Sequence, residues 1–324
     1  MFKKIFYKEK VEISGRRGVR VYGLSGFSLP DTLECGQCFR HYELKREGGY
    51  CEYIIPIGSL IANVAQREKG EIIFFDVEDG EDTERLTDYF SLDTDYDMIR
   101  RDVLSHRGDE WMRRAAECGG GIAILRQDPW ETLFSFIVSQ NNNIPRIKKI
   151  IRELSAAYGV NICLQKGVKT CPAGLIDCAP CEEKCKSCGL CYTFPTAEDV
   201  AREPEKMAPS KPGFRYKYLL DAAEKVTRGE VDLEKIKAAH SYEYTVSELS
   251  KICGVGLKVA SCAALFGFSN LEAFPVDVWM RRAIDEHFDG RLTAEDLGEY
   301  AGVAQQYIFH YIRNGENESQ DRQK

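Results

Sequence analysis

A chain of 324 residues, 44% of them hydrophobic, can bury one large core or two to three smaller ones. No run approaches the roughly eighteen apolar residues that a membrane-spanning helix needs, and the start, MFKKIFYKEKVE, has no apolar stretch before charge returns. A cytosolic protein without a secretory signal is therefore expected, with no membrane partner. A net charge of −7 argues against nucleic-acid binding at first sight, but its distribution reverses the argument. Residues 71–97 hold eleven Asp and Glu against Arg85 alone, a local −10 that leaves +3 for the remainder. Between 141 and 160, Arg146, Lys148, Lys149 and Arg152 stand against Glu153 only. The acidic run reads as a solvated face turned away from DNA.

In chain order, residues 17–77 carry β-rich runs at Val19–Tyr22, Tyr50–Ile57, Leu60–Val64 and Glu71–Val77. Turn residues separate them, which predicts an antiparallel sheet. From about residue 84 to Ile312 the apolar period is helical. The fold class is thus α+β: a sheet domain over 1–115, a helical core over 116–312, and a frayed tail over 313–324. Asp128-Pro129-Trp130-Glu131 predicts a capping box with proline at the first helical position, opening a helix through Val138. A second helix is expected from Ile144 to Tyr158, with Gly159 as its C-cap.

The segment 242–268 reads as two short helices flanking a hairpin, Gly254-Val255-Gly256. Glycine tolerates positive φ, so the hairpin can turn its N–H groups outward toward a phosphate at the next helix's N-terminus. Lys258 follows in that helix's first turn, and the chain returns through Pro275-Val276 to Asp277, nineteen residues on. Lys258 lies between apolar Leu257 and Val259, a setting whose desolvation would favour the neutral amine; the plainer alternative is a surface lysine holding a phosphate. Asp277 precedes the amphipathic run Val278–Phe288 and can serve as an N-cap while its carboxylate faces developing positive charge.

With the hairpin segment, four signals occur in a fixed order: Gly36-Gln37-Cys38-Phe39-Arg40, Arg126-Gln127-Asp128-Pro129 with Phe134-Ser135-Phe136 and Asn141-Asn142-Asn143-Ile144, the hairpin-Lys-Pro-Val-Asp segment, and Ala304-Gln305-Gln306-Tyr307-Ile308-Phe309. In these motifs the chain resembles the 8-oxoguanine DNA glycosylase/lyase family of the helix-hairpin-helix superfamily over most of residues 10–312. The resemblance implies a bifunctional enzyme that flips the damaged base out of the duplex, attacks C1′ through Lys258 with Asp277 as partner, and nicks the strand by β-elimination. It implies no cofactor for catalysis, a monomer, and double-stranded DNA with 8-oxoguanine opposite cytosine as partner.

The same resemblance implies the site. The Gly36 carbonyl would accept from N7–H, which 8-oxoguanine has and guanine lacks; read alone, the Gly-Gln pair would be a turn or bulge. Gln305 would bond the Watson–Crick edge and Phe309 would stack on the base, the two being four apart on a helix. Cys262, one turn after Lys258, would pack on the base and form a charge-sensing dipole with the lysine, against the ordinary reading of a buried small apolar residue. Pro275 completes the base-recognition set. Asn141, Arg146 and Arg215 would hold the orphaned cytosine, with Phe214 wedged into the stack, although a phosphate contact is the commoner role for any single arginine. Gly254, Val255 and Gly256 would grip the backbone. Two residues depart from the family pattern: Trp279 stands where a histidine usually follows the aspartate, and Cys253 where a proline precedes the hairpin. An alkylated-base glycosylase on the same scaffold and a non-enzymatic helix-hairpin-helix module are the rival readings.

Seven of the thirteen cysteines lie within 163–191. The spacing of Cys178, Cys181, Cys185, Cys188 and Cys191 in a cytosolic chain points to metal and away from disulfides, within an insert over 160–195. Four thiolates would close a tetrahedral zinc site; an iron–sulfur cluster is the rival, and Cys163 and Cys171 are alternative ligands.

Overall fold

The structure is a computed structural model that describes residues 3–167, 185 and 189–315. Strands β1 (Tyr7–Ile13), β2 (Arg16–Tyr22), β3 (Tyr42–Glu47), β4 (Tyr50–Ile57), β5 (Leu60–Gln66) and β6 (Glu71–Phe75) form one antiparallel sheet in the order β1-β2-β6-β5-β4-β3. The sequence reading found the four inner strands and missed β1 and β3. Both are edges, and their sequences YKEKVEI and YELKRE carry charges on either face. A strand paired on one side only needs no continuous apolar face, and charge there deters further pairing.

Alternate residues of the inner strands, among them Val19, Val21, Tyr53, Ile55, Ala62, Val64, Ile72 and Phe74, point to one face. Helix α1 (Leu29–Glu34) covers that face with Leu29 and Leu33, and α2 (Glu81–Tyr89) covers it with Leu86, the chain adding Phe90 just beyond. Helices α3 (Tyr96–His106) and α4 (Glu110–Cys118) follow. Their Ile99, Val103, Met112, Ala115 and Ala116 join the helical core, whereas Ala123 and Leu125 return to the sheet's core. The packing boundary therefore does not fall at residue 115: α3 and α4 lie with the helices.

The remaining helices are α5 (Pro129–Ser139), α6 (Ile144–Tyr158), α7 (Ile162–Gln165), α8 (Ala197–Arg202), α9 (Tyr216–Thr227), α10 (Leu233–Ala239), α11 (Tyr242–Leu249), α12 (Leu257–Gly267), α13 (Val278–His287) and α14 (Ala301–His310). Helix α5 is buried along Pro129–Trp130 and Thr132–Val138, and α12 along Val259–Gly267, so these two form the centre of the helical core. They meet through Phe136 and Phe266, whose rings stack with centroids 5.5 Å apart. The Asp128 cap is present, its Oδ1 accepting from Glu131 N at 2.8 Å. The reciprocal half of the predicted capping box is not: Glu131 instead pairs with Arg40 at 3.0 Å. Helix α6 has its predicted bounds, but Gly159 is extended, with φ −73°, and not left-handed. Glycine is needed there because a Cβ would lie 2.1 Å from Thr193 O. Helical backbone runs on through 311–315, past the predicted end of the core. No helix among the described residues is long and apolar enough to cross a membrane.

Candidate active site

Helices α11 and α12 flank the hairpin as expected, tied by a Tyr242 OH to Ser261 Oγ hydrogen bond of 2.8 Å. Gly254 has φ +78°, and a Cβ on it would meet the Tyr218 ring at 2.5 Å, so both conformation and space demand glycine. Gly256 is different. Its φ is −91° and a Cβ would meet nothing within 4 Å, so glycine there leaves the N-terminus of α12 open, with no side-chain cap on its N–H groups. Cys253 donates its backbone N–H to Asp221 Oδ2 at 2.6 Å, a bond that the family's proline could not make.

Lys258 is half-buried in the first turn of α12, with Nζ 5.5 Å from the Phe136 ring centroid. Of the two flanking residues expected to give it an apolar setting, Val259 is buried but Leu257 is 66% exposed. The apolar wall comes instead from α5 and from deeper in α12, where Phe136, Phe266 and Cys262 line the same cavity. Burial pushes the Cys262 thiol up to about 11, with Lys258 offsetting only part of that rise. Cys262 is thus a neutral thiol at pH 7, which favours its packing role over a charge-separated dipole with the lysine. Asp277 caps α13, Oδ1 accepting from Met280 N at 2.9 Å, and lines the cavity opposite Lys258's helix. The expected cap is thus present, and the same residue lines the cavity.

The cavity measures about 410 Å³ and gathers Gly36, Lys258, Cys262, Pro275, Asp277, Gln305 and Phe309, which are far apart in sequence. Gly36 has φ +85°, and a Cβ on it would lie 3.6 Å from Phe309 Cε1, so the two face each other. Its loop is held by Gln37, to which the sequence reading gave no role. Gln37 Nε2 donates to Thr32 O and Ala123 O, both at 2.8 Å, and Oε1 accepts from Leu125 N at 2.9 Å. The Gln37 carbonyl accepts from Gln127 Nε2 at 2.7 Å. Lys148 of α6 donates to His41 Nε2 at 2.7 Å, and His41 Nδ1 faces Cys38 Sγ at 3.4 Å, which fastens α6 to the same loop. Burial first and the Lys148 charge second push His41 down to about 3, so it stays neutral. Two other cavity residues were missed. Gln306 is buried beside Gln305, and Arg313 lies over the Phe309 ring, 5.2 Å from its centroid. Trp279, 40% exposed, stands at the cavity in the histidine's place. No residue of the acidic run 71–97 lines the cavity.

Beside the cavity, Asn141 is exposed and left-handed, with φ 46°, in the turn between α5 and α6. Arg146 is exposed in the first turn of α6. Arg215 is not its equal: only 3% exposed, it donates to the carbonyls of Gln140 at 2.8 Å, Asn141 at 2.8 Å and Pro212 at 3.1 Å. Its guanidinium lies over the Phe214 ring, 4.5 Å from the centroid. Burial first, and the charge of Arg146 second, lower its pKa. Phe214, 49% exposed, meets Tyr218 edge-on at 6.0 Å, the ring that also abuts Gly254. Phe214, Arg215 and the hairpin therefore form one packed unit.

Of the proposed metal ligands, Cys178, Cys181 and Cys188 lie outside the described residues, as does Cys171. Cys185 and Cys191 are buried, and the Cys163 side chain bonds that of Cys191. Among the described residues no three or more candidate ligands gather.

Residues 22–133 match the model of the 8-oxoguanine DNA glycosylase N-terminal domain. The whole chain is similar to MBOgg1 bound to a low-affinity DNA ligand, with 33% identity, a TM-score of 0.78, and coverage of 96% of this chain and 99% of that one. It is also similar to the Clostridium acetobutylicum 8-oxoguanine glycosylase/lyase in complex with duplex DNA containing cytosine opposite 8-oxoguanine, with 31% identity, a TM-score of 0.78, and coverage of 98% and 100%. The Saccharomyces cerevisiae N-glycosylase/DNA lyase is 28% identical over 279 residues, which span 80% of this chain and 67% of the yeast protein.

Proposed function

The chain belongs to the 8-oxoguanine DNA glycosylase/lyase family, and we propose that it excises 8-oxoguanine lying opposite cytosine in duplex DNA with Lys258 as the attacking amine. The observation that carries this reading is the meeting of Lys258, Asp277, Gly36, Gln305 and Phe309 in one cavity. Unprotonated Nζ attacks C1′ while the N9–C1′ bond breaks and its electron pair leaves with the base. The Asp277 carboxylate, fixed by the α13 N-terminus, stabilises the positive charge that develops on the sugar. The nitrogen lone pair then expels O4′, which takes up a proton as the sugar ring opens to the imine; the imine loses a proton from C2′, and the 3′-phosphate departs with the electron pair of the C3′–O bond by β-elimination. Gly36 supplies the acceptor for N7–H, Phe309 and Cys262 sandwich the base, and Pro275 closes the rim. On the vacated side, Asn141 and Phe214 enter the stack and Arg146 reads the cytosine. A non-enzymatic module would need the hairpin but would have no use for the cavity's lysine and carboxylate.

The direct experiment follows a duplex with one 8-oxoguanine opposite cytosine. Free base and a nicked strand should appear together, with no added endonuclease. Base release that leaves an intact abasic strand would overturn the lyase reading, and release of alkylated purines alone would favour the rival glycosylase. Acting on duplex DNA, the protein is expected in the compartment that holds the chromosome.

We also propose that the cysteine-rich segment binds a structural metal. The support is its cysteine-only donor set, in which Cys163, Cys185 and Cys191 are buried and the side chains of Cys163 and Cys191 are hydrogen-bonded to each other. Zinc is the expected ion, with roughly one per chain. Elemental analysis finding iron with acid-labile sulfide would replace zinc by a cluster, and protein with neither metal would remove the site.

A further inference from the structure

We propose that Gln306 is a second reader of the flipped base, taking a donor of guanine's Watson–Crick edge beside the bond made by Gln305; the proposal rests on the excision of 8-oxoguanine argued above. Helix α14 places Gln306 three residues before Phe309, and it lines the cavity with Gln305 and Phe309. The side chain is 3% exposed. Its Nε2 donates to Gln305 Oε1 at 2.7 Å, while its own Oε1 is buried with no hydrogen-bond partner among the described residues.

A buried, unbonded carbonyl is costly and needs an explanation. A ligand that brings a donor to this wall supplies one. The Watson–Crick edge of 8-oxoguanine offers O6 as acceptor, then N1–H and the N2 amine as donors. Gln305 Oε1 keeps one lone pair after accepting from Gln306, and Gln306 Oε1 keeps both. Two adjacent carbonyl oxygens thus match two adjacent donors, and the bond between the amides holds the carbonyl of Gln305 in one orientation. An adenine-type edge, with a lone pair at N1, would meet oxygen with no proton between them. The tandem glutamines read the 2-amino group as well as N1–H.

The test compares single-turnover excision of 8-oxoguanine with that of 8-oxohypoxanthine, which lacks the 2-amino group, both opposite cytosine. Wild type should prefer 8-oxoguanine, and in Gln306→Leu the ratio of the two rates should fall about tenfold, the worth of one hydrogen bond to a buried acceptor. Gln306→Met, close in shape, should give the same fall, and it carries the test if the leucine variant does not fold. Equal losses on both substrates would overturn the proposal and make Gln306 a support for Gln305. Unchanged rates on both would overturn it too. Wild type inactive on 8-oxoguanine would fail the functional reading itself, a result separable from either of these.

Discussion

Lys258→Gln should lose excision by on the order of 10⁴-fold or more, while still binding lesion-containing duplex. The two halves of this expectation come from different parts of the site. Nucleophilic attack needs Nζ, and among the described residues the cavity offers no second amine: its other basic residue is Arg313, a guanidinium. Binding depends on the hairpin, where the Gly254 conformation and its seat against Tyr218 involve no atom of the lysine side chain. Glutamine is close to lysine in length and keeps the α12 turn intact. Excision assays and a band-shift titration on the same preparation separate the halves. Residual excision within tenfold of wild type would make Lys258 a phosphate contact. Loss of binding together with excision would mean that the substitution had disturbed the hairpin.

The two arginines should differ sharply. Arg215→Ala removes a buried guanidinium that bonds the carbonyls of Gln140, Asn141 and Pro212, and it leaves those acceptors, one of them in a fully buried bond, without their donor. Hydrogen bonds to charged groups are worth about 1.5–3 kcal/mol each, with incomplete additivity, so a loss of about 3 kcal/mol is expected. The melting temperature should fall by roughly 5–10 °C. Excision should drop for every opposing base, because the turn that presents Asn141 loses its clamp. Arg146 is exposed and makes no such bonds through its side chain in this structure. Arg146→Ala should leave the melting temperature unchanged and cut the preference for cytosine over adenine by about 5- to 100-fold, the range for one bidentate base contact. Melting curves and single-turnover rates opposite all four bases decide between them. An unaltered cytosine preference in Arg146→Ala would transfer the reading to Arg215 and require it to leave its clamp when DNA binds.

What the sequence revealed was whatever local rules dictate. The inner strands alternate or run apolar, α5 opens on Asp-Pro, and Asp277 announces a helix start, so all were legible. The hairpin, Lys258 and Asp277 were legible because their spacing is fixed by one short segment. Strands β1 and β3 were not, because an edge strand can be charged on both faces. Gln37 and the backbone bonds of Arg215 escaped for another reason: each side chain acts on backbone carbonyls or N–H groups distant in sequence, and no periodicity records such partners. The apolar surroundings of Lys258 were only partly legible, since Val259 is buried but Leu257 is exposed. Its neighbours along the chain point different ways around α12, and the ring that faces it, Phe136, comes from α5. Gly159 had the right identity for the wrong cause, a close approach to Thr193 and not a left-handed turn.

Borohydride reduction tests the central claim most directly, since it fixes any imine between the enzyme and C1′. Wild type mixed with 8-oxoguanine duplex and borohydride should form a covalent protein–DNA adduct, and peptide mapping should locate the sugar remnant on Lys258. An adduct on another amine, or one that persists in Lys258→Gln, would contradict the assignment of the nucleophile.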